Sequence, residues 1–401
     1  MKTRNIIILT AGMFFLSSVY TMLVPFLPLY LMDLGVEGRQ VNFWSGAVFS
    51  VCFLIGGIMG PVWGRLADSR GKKKMAVRAA FFIGLSYLLG GLVRNQWELL
   101  GMRMLQGFAN GYMPAAMAMI SSSVSPSKLG VALGIFQTAL TIGGICGPLM
   151  GGVLSEYFGM RASFFVGGSI VISVAAAVLL FVHEEEDVDS QQKEVRKSQS
   201  IAEDLSYAIS NKRLMVLLGC CFILQSSILM IQPVAPLYIG ELQGSMDGVA
   251  MTAGLIMSLG GLAGAVTTPF WGMFGQKYGY NTAMAVTFTG AGILLIGQGI
   301  PRSVLGFGIF QFAVGCFIVG INPSVSAAMV TCTPESFRGR VFGLANTFQQ
   351  FGSMFGPMMA GIATMYIDIR WMFVMAGILL SFIGYALWRR SASSVLTGKG
   401  L

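Results

Sequence analysis

Long apolar runs, separated by short polar segments, make up most of the sequence. Twelve of these runs are long enough to cross a bilayer core, which takes about 20 helical residues. An even number of crossings places both termini on the same side of the membrane. The pattern therefore predicts twelve transmembrane helices, here called spans 1 to 12. They lie at residues 6–32, 42–64, 75–93, 97–123, 129–155, 162–182, 214–240, 249–273, 280–299, 303–331, 337–365 and 371–388.

Composition supports a membrane protein and excludes several other classes. Of the 401 residues, 55% are hydrophobic and 11% are charged, and the mean hydropathy is +0.72. A disordered, fibrous or nucleic-acid-binding chain would need longer polar stretches. The sequence contains no nucleotide-binding loop of the form Gly-x4-Gly-Lys-(Ser/Thr), and its six cysteines lack a disulfide or metal-site spacing. We expect no enzyme activity, no cofactor, no metal and no nucleic acid partner.

The basic residues determine the predicted orientation. The chain carries 26 Lys and Arg against 17 Asp and Glu. With the termini in the cytoplasm, 20 of the 26 lie on the cytoplasmic side, in agreement with the positive-inside rule. Arg103 is the one that we place within a span. The five on the outer side are Arg39, Arg94, Arg161, Arg302 and Arg370.

The second half of the sequence repeats the first at an offset of 208 to 209 residues. The pattern Pro-x-x-Pro-Leu-Tyr occurs at 25–30 and again at 233–238, and Pro-x-Trp-Gly occurs at 61–64 and at 269–272. Each half holds six spans, so the two halves have the same orientation and are related by an axis along the membrane normal.

The repeat predicts an all-α membrane protein built from two pseudo-symmetric six-helix bundles, residues 1–183 and 214–401. The cytoplasmic linker between them, residues 184–213, carries eight acidic and five basic side chains. Within this linker, residues 201–209 fit a short amphipathic surface helix and a solvated tether equally well.

Residues 64–74, after span 2, form a charged loop that membrane topology alone does not explain. Basic residues there satisfy the positive-inside rule, but that rule requires neither Asp68 nor glycines seven residues apart. The segment resembles the signature loop of the major facilitator superfamily, Gly-x-Leu-Ala-Asp-x-x-Gly-(Arg/Lys)-Lys, with Lys where Arg is usual. The residues that we assign to it are Gly64, Asp68, Arg70, Gly71, Lys72 and Lys73.

The resemblance implies that Asp68 holds the cytoplasmic gate against the start of span 11, where a helix N-terminus attracts negative charge. Gly64 is expected to let the helices approach closely. In the second half Gln276 stands opposite Asp68, so we hypothesise that this gate contact exists on one side only. An Asp68→Asn variant with unchanged transport and an unchanged inward/outward equilibrium would contradict the hypothesis.

Arg103 is costly to place inside a membrane, by about 2.5 to 3.5 kcal/mol on insertion scales, which favours a function. Its long side chain could instead reach the nearby outer interface. The motif Arg-x-x-Gln-Gly of drug:proton antiporters resembles residues 103–107, Arg-Met-Leu-Gln-Gly. The resemblance implies that Arg103 influences proton movement. The repeat position, Gln311, carries no charge.

Span 5 is rich in glycine and contains a proline. Small residues at such spacing give a flat face for helix packing, and the proline permits a bend. This pattern fits generic membrane packing, but it is also similar to the antiporter motif of exporting drug:proton antiporters, and it recurs in span 11. The resemblance therefore covers the whole chain and points to the twelve-span drug:proton antiporter family. The motif residues are Gly134, Gly143, Gly147, Pro148, Gly151 and Gly152.

Polar residues within the spans are candidates for a substrate cavity. Lipid disfavours side-chain amides, so those in the pore-forming spans are expected to face the cavity, although any of them could instead bridge two helices. The 27 Met and 29 Phe suit a pocket that repacks around varied hydrophobic ligands, and they also suit surfaces that face lipid. The candidates are Asn110, Gln137, Gln225, Gln232, Asn322, Asn346 and Gln349.

Proton coupling usually needs a carboxylate inside the membrane, and span 1 has none. The nearest acids are Asp33 and Glu241, which are repeat mates at the outer ends of spans 1 and 7. They either mark the membrane interface or carry the proton, and Arg103 is the third candidate for coupling. His183, the sole histidine, is expected to be an interface residue at the cytoplasmic end of span 6.

Together these resemblances imply a secondary active transporter that exports hydrophobic, often cationic drugs from a bacterial cell by proton-coupled alternating access. The lack of an embedded acid weakens the expectation for strongly cationic compounds. An exporter of sugars, metabolites or lipids is the alternative, and a membrane receptor that binds without transporting is less favoured. We expect a monomer in the inner membrane, with both termini in the cytoplasm. Its partners would be a small-molecule substrate, protons and the lipid bilayer.

Overall fold

The structure is a computed structural model that describes residues 2–183, 208–334 and 337–396. Most of the predicted linker, including residues 201–207 of its amphipathic segment, lies outside the described residues. The described backbone is helical and contains no strand. Helices satisfy their own backbone hydrogen bonds, which is what an apolar chain requires inside a bilayer. Side chains are not described at positions 2, 65, 68–70, 126–127, 338–339 and 390–396.

The described chain forms two compact units. Unit 1 comprises Met1–Ser198 together with Asp247–Ser258, and unit 2 comprises Gln199–Met246 with Leu259–Leu401. The helices up to residue 183 are α1 (Lys2–Leu23), a 3-10 turn (Val24–Phe26), α2 (Leu27–Asp33), α3 (Gln40–Arg70), α4 (Lys72–Gly90), α5 (Gln96–Ala109), α6 (Tyr112–Ser123) and α7 (Pro126–Phe181).

The helices of the second half follow the same plan. They are α8 (Lys212–Ile231), α9 (Ala235–Gln243), α10 (Val249–Tyr278), α11 (Tyr280–Gln298), α12 (Val304–Ile318), α13 (Ile321–Thr331), α14 (Arg338–Ala363) and α15 (Arg370–Leu396). Helix α10 begins in unit 1 and continues in unit 2. The division at residues 183 and 214 that we derived from the sequence stays a prediction.

Eight stretches of the described chain are long and apolar enough to cross a membrane, judged by length and composition. They cover predicted spans 1, 2, 5 to 10 and 12. One of them, Lys128–Phe181, has 54 residues and covers both span 5 and span 6. It is interrupted at Gly159, where φ is 79° and ψ is 162°. The helices at spans 3, 4 and 11 fall short on this measure, so the total of twelve stays a prediction.

We predicted a loop for the charged segment after span 2, and this prediction is wrong. Helix α3 continues through it to Arg70, and α4 begins at Lys72. The residue between them, Gly71, has a φ of 96°, a conformation that favours glycine. The helix extends this far because Arg, Leu and Ala at positions 65–67 are good helix formers.

Several predicted spans are two helices rather than one. Span 4 breaks at Asn110 and Gly111, and span 10 breaks between α12 and α13. Gly111 has a φ of 130°. Spans 1 and 7 break close to Pro25 and Pro233, since proline lacks the N–H that a helix interior needs.

Equivalent tryptophans make equivalent contacts in the two halves. The indole N–H of Trp63 donates to the carbonyl oxygen of Phe108 at 2.7 Å. That of Trp271 donates to the carbonyl oxygen of Cys316 at 2.6 Å. The two donors are 208 residues apart, and so are the two acceptors, which is the offset of the sequence repeat. The duplication therefore extends to individual side-chain hydrogen bonds.

We expect Trp63→Phe and Trp271→Phe to lower stability by similar amounts, about 1 kcal/mol each. Each substitution keeps a ring but removes the donor to a backbone carbonyl. Thermal unfolding in detergent measures the effect, and Trp388→Phe is the control because that ring is 58% exposed. A large loss at one position and none at its repeat mate would show that the two bonds are not equivalent.

Candidate functional site

Arg103 is buried inside unit 1 rather than extended to its surface. Its side chain is 1% exposed. The Nε group donates to the carbonyl oxygen of Val48 on α3 at 3.1 Å, and Nη1 donates to the side-chain oxygen of Gln106, one turn further along α5. The ring of Phe49 lies 5.9 Å from the guanidinium carbon. Of the two alternatives for this residue, the structure therefore favours an internal role over an interfacial one.

The surroundings of Arg103 are polar but neutral. The hydroxyls of Tyr20 and Tyr87 and the thiol of Cys52 lie within electrostatic range of the guanidinium. Among the described residues, neither Nη2 of Arg103 nor the hydroxyl of Tyr87 makes a hydrogen bond of normal length and angle. None of the described contacts of Arg103 is with a carboxylate. A buried cation with neutral partners is energetically costly, which is typical of a functional position.

The repeat position in unit 2 is occupied by a neutral pair. The side-chain nitrogen of Gln298 donates to the side-chain oxygen of Gln311 at 2.6 Å, and Gln298 is fully buried. Unit 2 thus keeps a buried polar contact where unit 1 has a charge. The cation is a property of the first half alone.

The glycines of span 5 differ in what they contact. A side chain at Gly143, Gly147 or Gly151 would meet a backbone carbonyl of α1, whereas at Gly134 no described atom beyond the adjacent backbone of its own helix lies within 4 Å of the Cβ position. Gly152 faces α10, because a Cβ there would lie 2.6 Å from the carbonyl oxygen of Ala250. The motif therefore brings α7 into backbone contact with two different helices.

Span 11 repeats this packing in unit 2. A side chain at Gly352 would meet the carbonyl of Phe222, and one at Gly356 would meet the carbonyl of Ser226. Both contacts place α14 against α8, as α7 lies against α1. Close helix packing is therefore shown for these glycines, while their part in antiport stays a prediction.

The signature residues are described less fully. Helix α3 holds Gly64 and the backbone of Asp68, but the side chains of Asp68 and Arg70 are outside the described part. No described atom lies within 4 Å of the Cβ position at Gly64. The side chains at positions 338 and 339, at the start of span 11, are not described, so the expectation that Gly64 lets the helices approach closely stays a prediction. The gate contact of Asp68 stays a prediction.

Arg78 also falls within a predicted span, near the cytoplasmic end that the sequence assigns to it, and we counted it with the cytoplasmic residues. Its guanidinium carbon lies 3.5 Å from the ring centroid of Trp63, and Nη2 donates to the carbonyl oxygen of Asn110 at 3.0 Å. Asn110 ends α5, so Arg78 binds the chain at the break in span 4. An Arg three residues into predicted span 3, rather than before it, was the available signal for this site.

The predicted cavity residues are solvent-accessible, but the structure does not gather them in one described cavity. Asn110, Gln137, Asn322 and Asn346 are exposed, and the other three are partly exposed. The side chain of Asn110 accepts from the N–H of Gly111 at 2.8 Å. A described cavity of about 290 Å³ between α4 and α5 is lined by none of them. Its lining residues are Leu89, Leu92, Val93, Glu98, Gly101, Met102 and Leu105.

The remaining candidates lie near the ends of helices. Asp33 and Glu241 are both exposed, and Asp33 lies within electrostatic range of Arg161. His183, two residues after the end of α7, is exposed, and its Nδ1 lies 3.0 Å from Nη2 of Arg4. This position agrees with an interface role for His183. The role of the two carboxylates in coupling stays a prediction.

Comparison with known proteins decides the family. The sequence profile of the Major Facilitator Superfamily matches residues 9–304 and 250–398. The chain belongs to the Major Facilitator Superfamily. As a superfamily member it is a multi-pass membrane protein and a secondary transporter of small molecules.

Two relatives of this superfamily member are named as multidrug resistance proteins. It is 34% identical over 400 residues to "Multi-drug resistance efflux pump PmrA homolog" of Lactococcus lactis subsp. lactis, a match that covers 97% of each chain. It is 31% identical over 381 residues to "Multidrug resistance protein MdtG" of Escherichia fergusonii, which covers 94% of this chain and 92% of that protein.

Solved structures of other transporters share the fold of this superfamily member. The nucleoside transporter NupG aligns with a TM-score of 0.77 at 16% identity, over 96% of this chain and 98% of NupG. A bacterial homolog of the human lysosomal transporter Spinster, inward-facing and unoccupied, aligns with a TM-score of 0.79 at 15% identity. That alignment covers 99% of this chain and 98% of the homolog. At such identities the comparison shows the fold alone.

Proposed function

We propose that this protein exports hydrophobic drugs across the bacterial inner membrane in exchange for protons, by alternating access of its two halves. Full-length similarity to efflux pumps supports drug export. The observation that carries proton coupling is Arg103, a buried cation with neutral partners that unit 2 lacks. Its charge would disfavour a second positive charge nearby, so that protonation and substrate binding in its surroundings are linked.

The proposal also includes the domain bounds, the orientation and the oligomeric state that the sequence predicts. The two bundles span residues 1–183 and 214–401, both termini are cytoplasmic, and the chain acts as a monomer without cofactor, enzyme activity or nucleic acid. Asp68 holds the cytoplasmic gate. Asp33 and Glu241 lie at the outer ends of their spans and exchange protons with the outer medium, and the exposure of both side chains supports this part of the proposal.

Dye efflux in inverted membrane vesicles tests the proposal. We expect the vesicles to accumulate ethidium or Hoechst dye when a proton gradient is imposed, and to lose this activity when an uncoupler is added. Vesicles from cells that lack the protein are the control. Dye movement that is insensitive to the uncoupler would exclude proton coupling, and no movement by correctly inserted protein would favour a narrow exporter of metabolites.

The same vesicles test the two carboxylates. If either carries the proton, the double variant Asp33→Asn, Glu241→Gln should lose uncoupler-sensitive accumulation while inserting normally. A double variant that still moves protons on addition of substrate would remove both residues from the coupling mechanism.

A further inference from the structure

The first part of α10 is held on α7 by a contact that involves the proline of span 5. The hydroxyl of Ser258 donates to the carbonyl oxygen of Ile145 at 2.6 Å and accepts from the N–H of Leu149 at 3.2 Å. Ile145 and Leu149 are four residues apart, so their carbonyl and N–H would bond to each other in an uninterrupted α-helix. The serine hydroxyl thus bridges one rung of the α7 hydrogen-bond ladder.

The backbones on either side of this bridge are in direct contact. A Cβ at Gly254 would meet the carbonyl of Pro148, and a Cβ at Gly152 would lie 2.6 Å from the carbonyl oxygen of Ala250. Ala250, Gly254 and Ser258 are spaced by four residues and share one face of α10. The two helices approach so closely because small residues face each other, and Ser258 makes a direct side-chain hydrogen bond between them.

Every group in this contact has another partner within its own helix. If α10 moves away, the N–H of Leu149 can bond directly to the carbonyl of Ile145. The Ser258 hydroxyl can bond to the carbonyl of Gly254, four residues earlier, as helical serines commonly do. Breaking the contact therefore leaves no polar group unsatisfied in a medium where such a group is costly.

We propose that Ser258 is a positioning residue whose exchangeable hydrogen bonds hold α10 on α7 in the described state and release it during transport. This inference rests on the alternating-access part of the proposed function, not on the identity of the substrate. Helix α10 continues beyond Ser258 into unit 2, so release here frees a helix that both units share. In the repeat, Ser50 occupies the position that corresponds to Ser258, and Pro357 the one that corresponds to Pro148.

Distances between spin labels test this proposal without any substrate. Labels replace Tyr157 on α7 and Met251 on α10, which are 71% and 44% exposed and both belong to unit 1. The labels report how many molecules have the short distance and how many have the long one. Ser258→Ala should lower the ratio of the short-distance to the long-distance population by about three- to tenfold, the size expected for one hydrogen bond. Ser258→Thr, which keeps the hydroxyl, should restore the wild-type ratio. Ser173→Ala is the control, since that exposed hydroxyl bonds to the carbonyl of Ser169 in its own helix.

Thermal unfolding separates positioning from a merely structural role. We expect Ser258→Ala to unfold near the wild-type temperature, because the freed groups of α7 bond to each other. An unchanged distance ratio would overturn the proposal, as would a lower unfolding temperature without a change in the ratio. Neither result depends on dye or protons. Failure of the efflux assay would therefore leave this test intact, and failure of this test would leave drug export intact.

Discussion

Replacement of Arg103 by Gln should abolish uncoupler-sensitive efflux without destabilising the protein. Glutamine removes the charge but can still donate to the carbonyl of Val48 or to Gln106. Burying a charge without an opposite charge beside it is costly, and the substitution removes that cost. We therefore expect an unfolding temperature equal to or above that of the wild type, together with at least a tenfold loss of proton-driven dye accumulation.

Two further variants show whether a loss of efflux at Arg103 comes from the loss of its charge. Arg103→Lys keeps the positive charge but not the planar geometry of the guanidinium, so it should retain part of the activity. Arg94→Gln makes the same chemical change at an exposed position and should leave efflux unchanged. Wild-type efflux by Arg103→Gln would exclude a coupling role. A parallel fall in stability and efflux would assign Arg103 to structure.

Replacement of Gly147 by Ala should destabilise unit 1 strongly, whereas the same change at Gly134 should not. Both glycines belong to the motif of span 5. A methyl group at Gly147 would collide with the carbonyl of Ser18 and the hydroxyl of Thr21 on α1. Since backbone atoms cannot move aside as a flexible side chain can, we expect a loss of about 3 kcal/mol, the upper part of the range for overpacking.

Gly134→Ala is the matched control for this experiment. Beyond the adjacent backbone of its own helix, no described atom lies within 4 Å of the Cβ position there, and alanine favours a helix over glycine by about 1 kcal/mol. The variant should unfold at or slightly above the wild-type temperature. Thermal unfolding in detergent measures both variants, and efflux per inserted molecule follows. Equal tolerance at the two positions would mean that α1 and α7 are not in backbone contact in the membrane.

Much of the fold could be predicted because the relevant signals lie in consecutive residues. The hydropathy runs located the helices, and the landmarks at Trp63 and Trp271 located the repeat that their hydrogen bonds confirm. The helix limits were less predictable. We predicted a loop at residues 64–74, but only Gly71 interrupts the helices there, since charged residues at a membrane surface can remain helical.

The candidate site was predictable only in part. The motif Arg-x-x-Gln singled out Arg103 and also contains Gln106, which the helix brings onto the same face. The sequence could not distinguish a buried Arg103 from one that reaches the interface, since burial depends on which helices surround α5. It placed Arg78 within span 3, but it could not show that Arg78 stacks on Trp63 and binds the end of α5.

By itself the sequence determined that this protein is a duplicated, helical membrane protein of the superfamily, because hydropathy, offset and motifs depend only on residue order. The tertiary structure alone decided which residues meet. Arg103 binds the carbonyl of Val48 from 55 positions away, and Ser258 binds that of Ile145 from 113 positions away. Such contacts depend on how whole helices pack, and no local pattern records that arrangement.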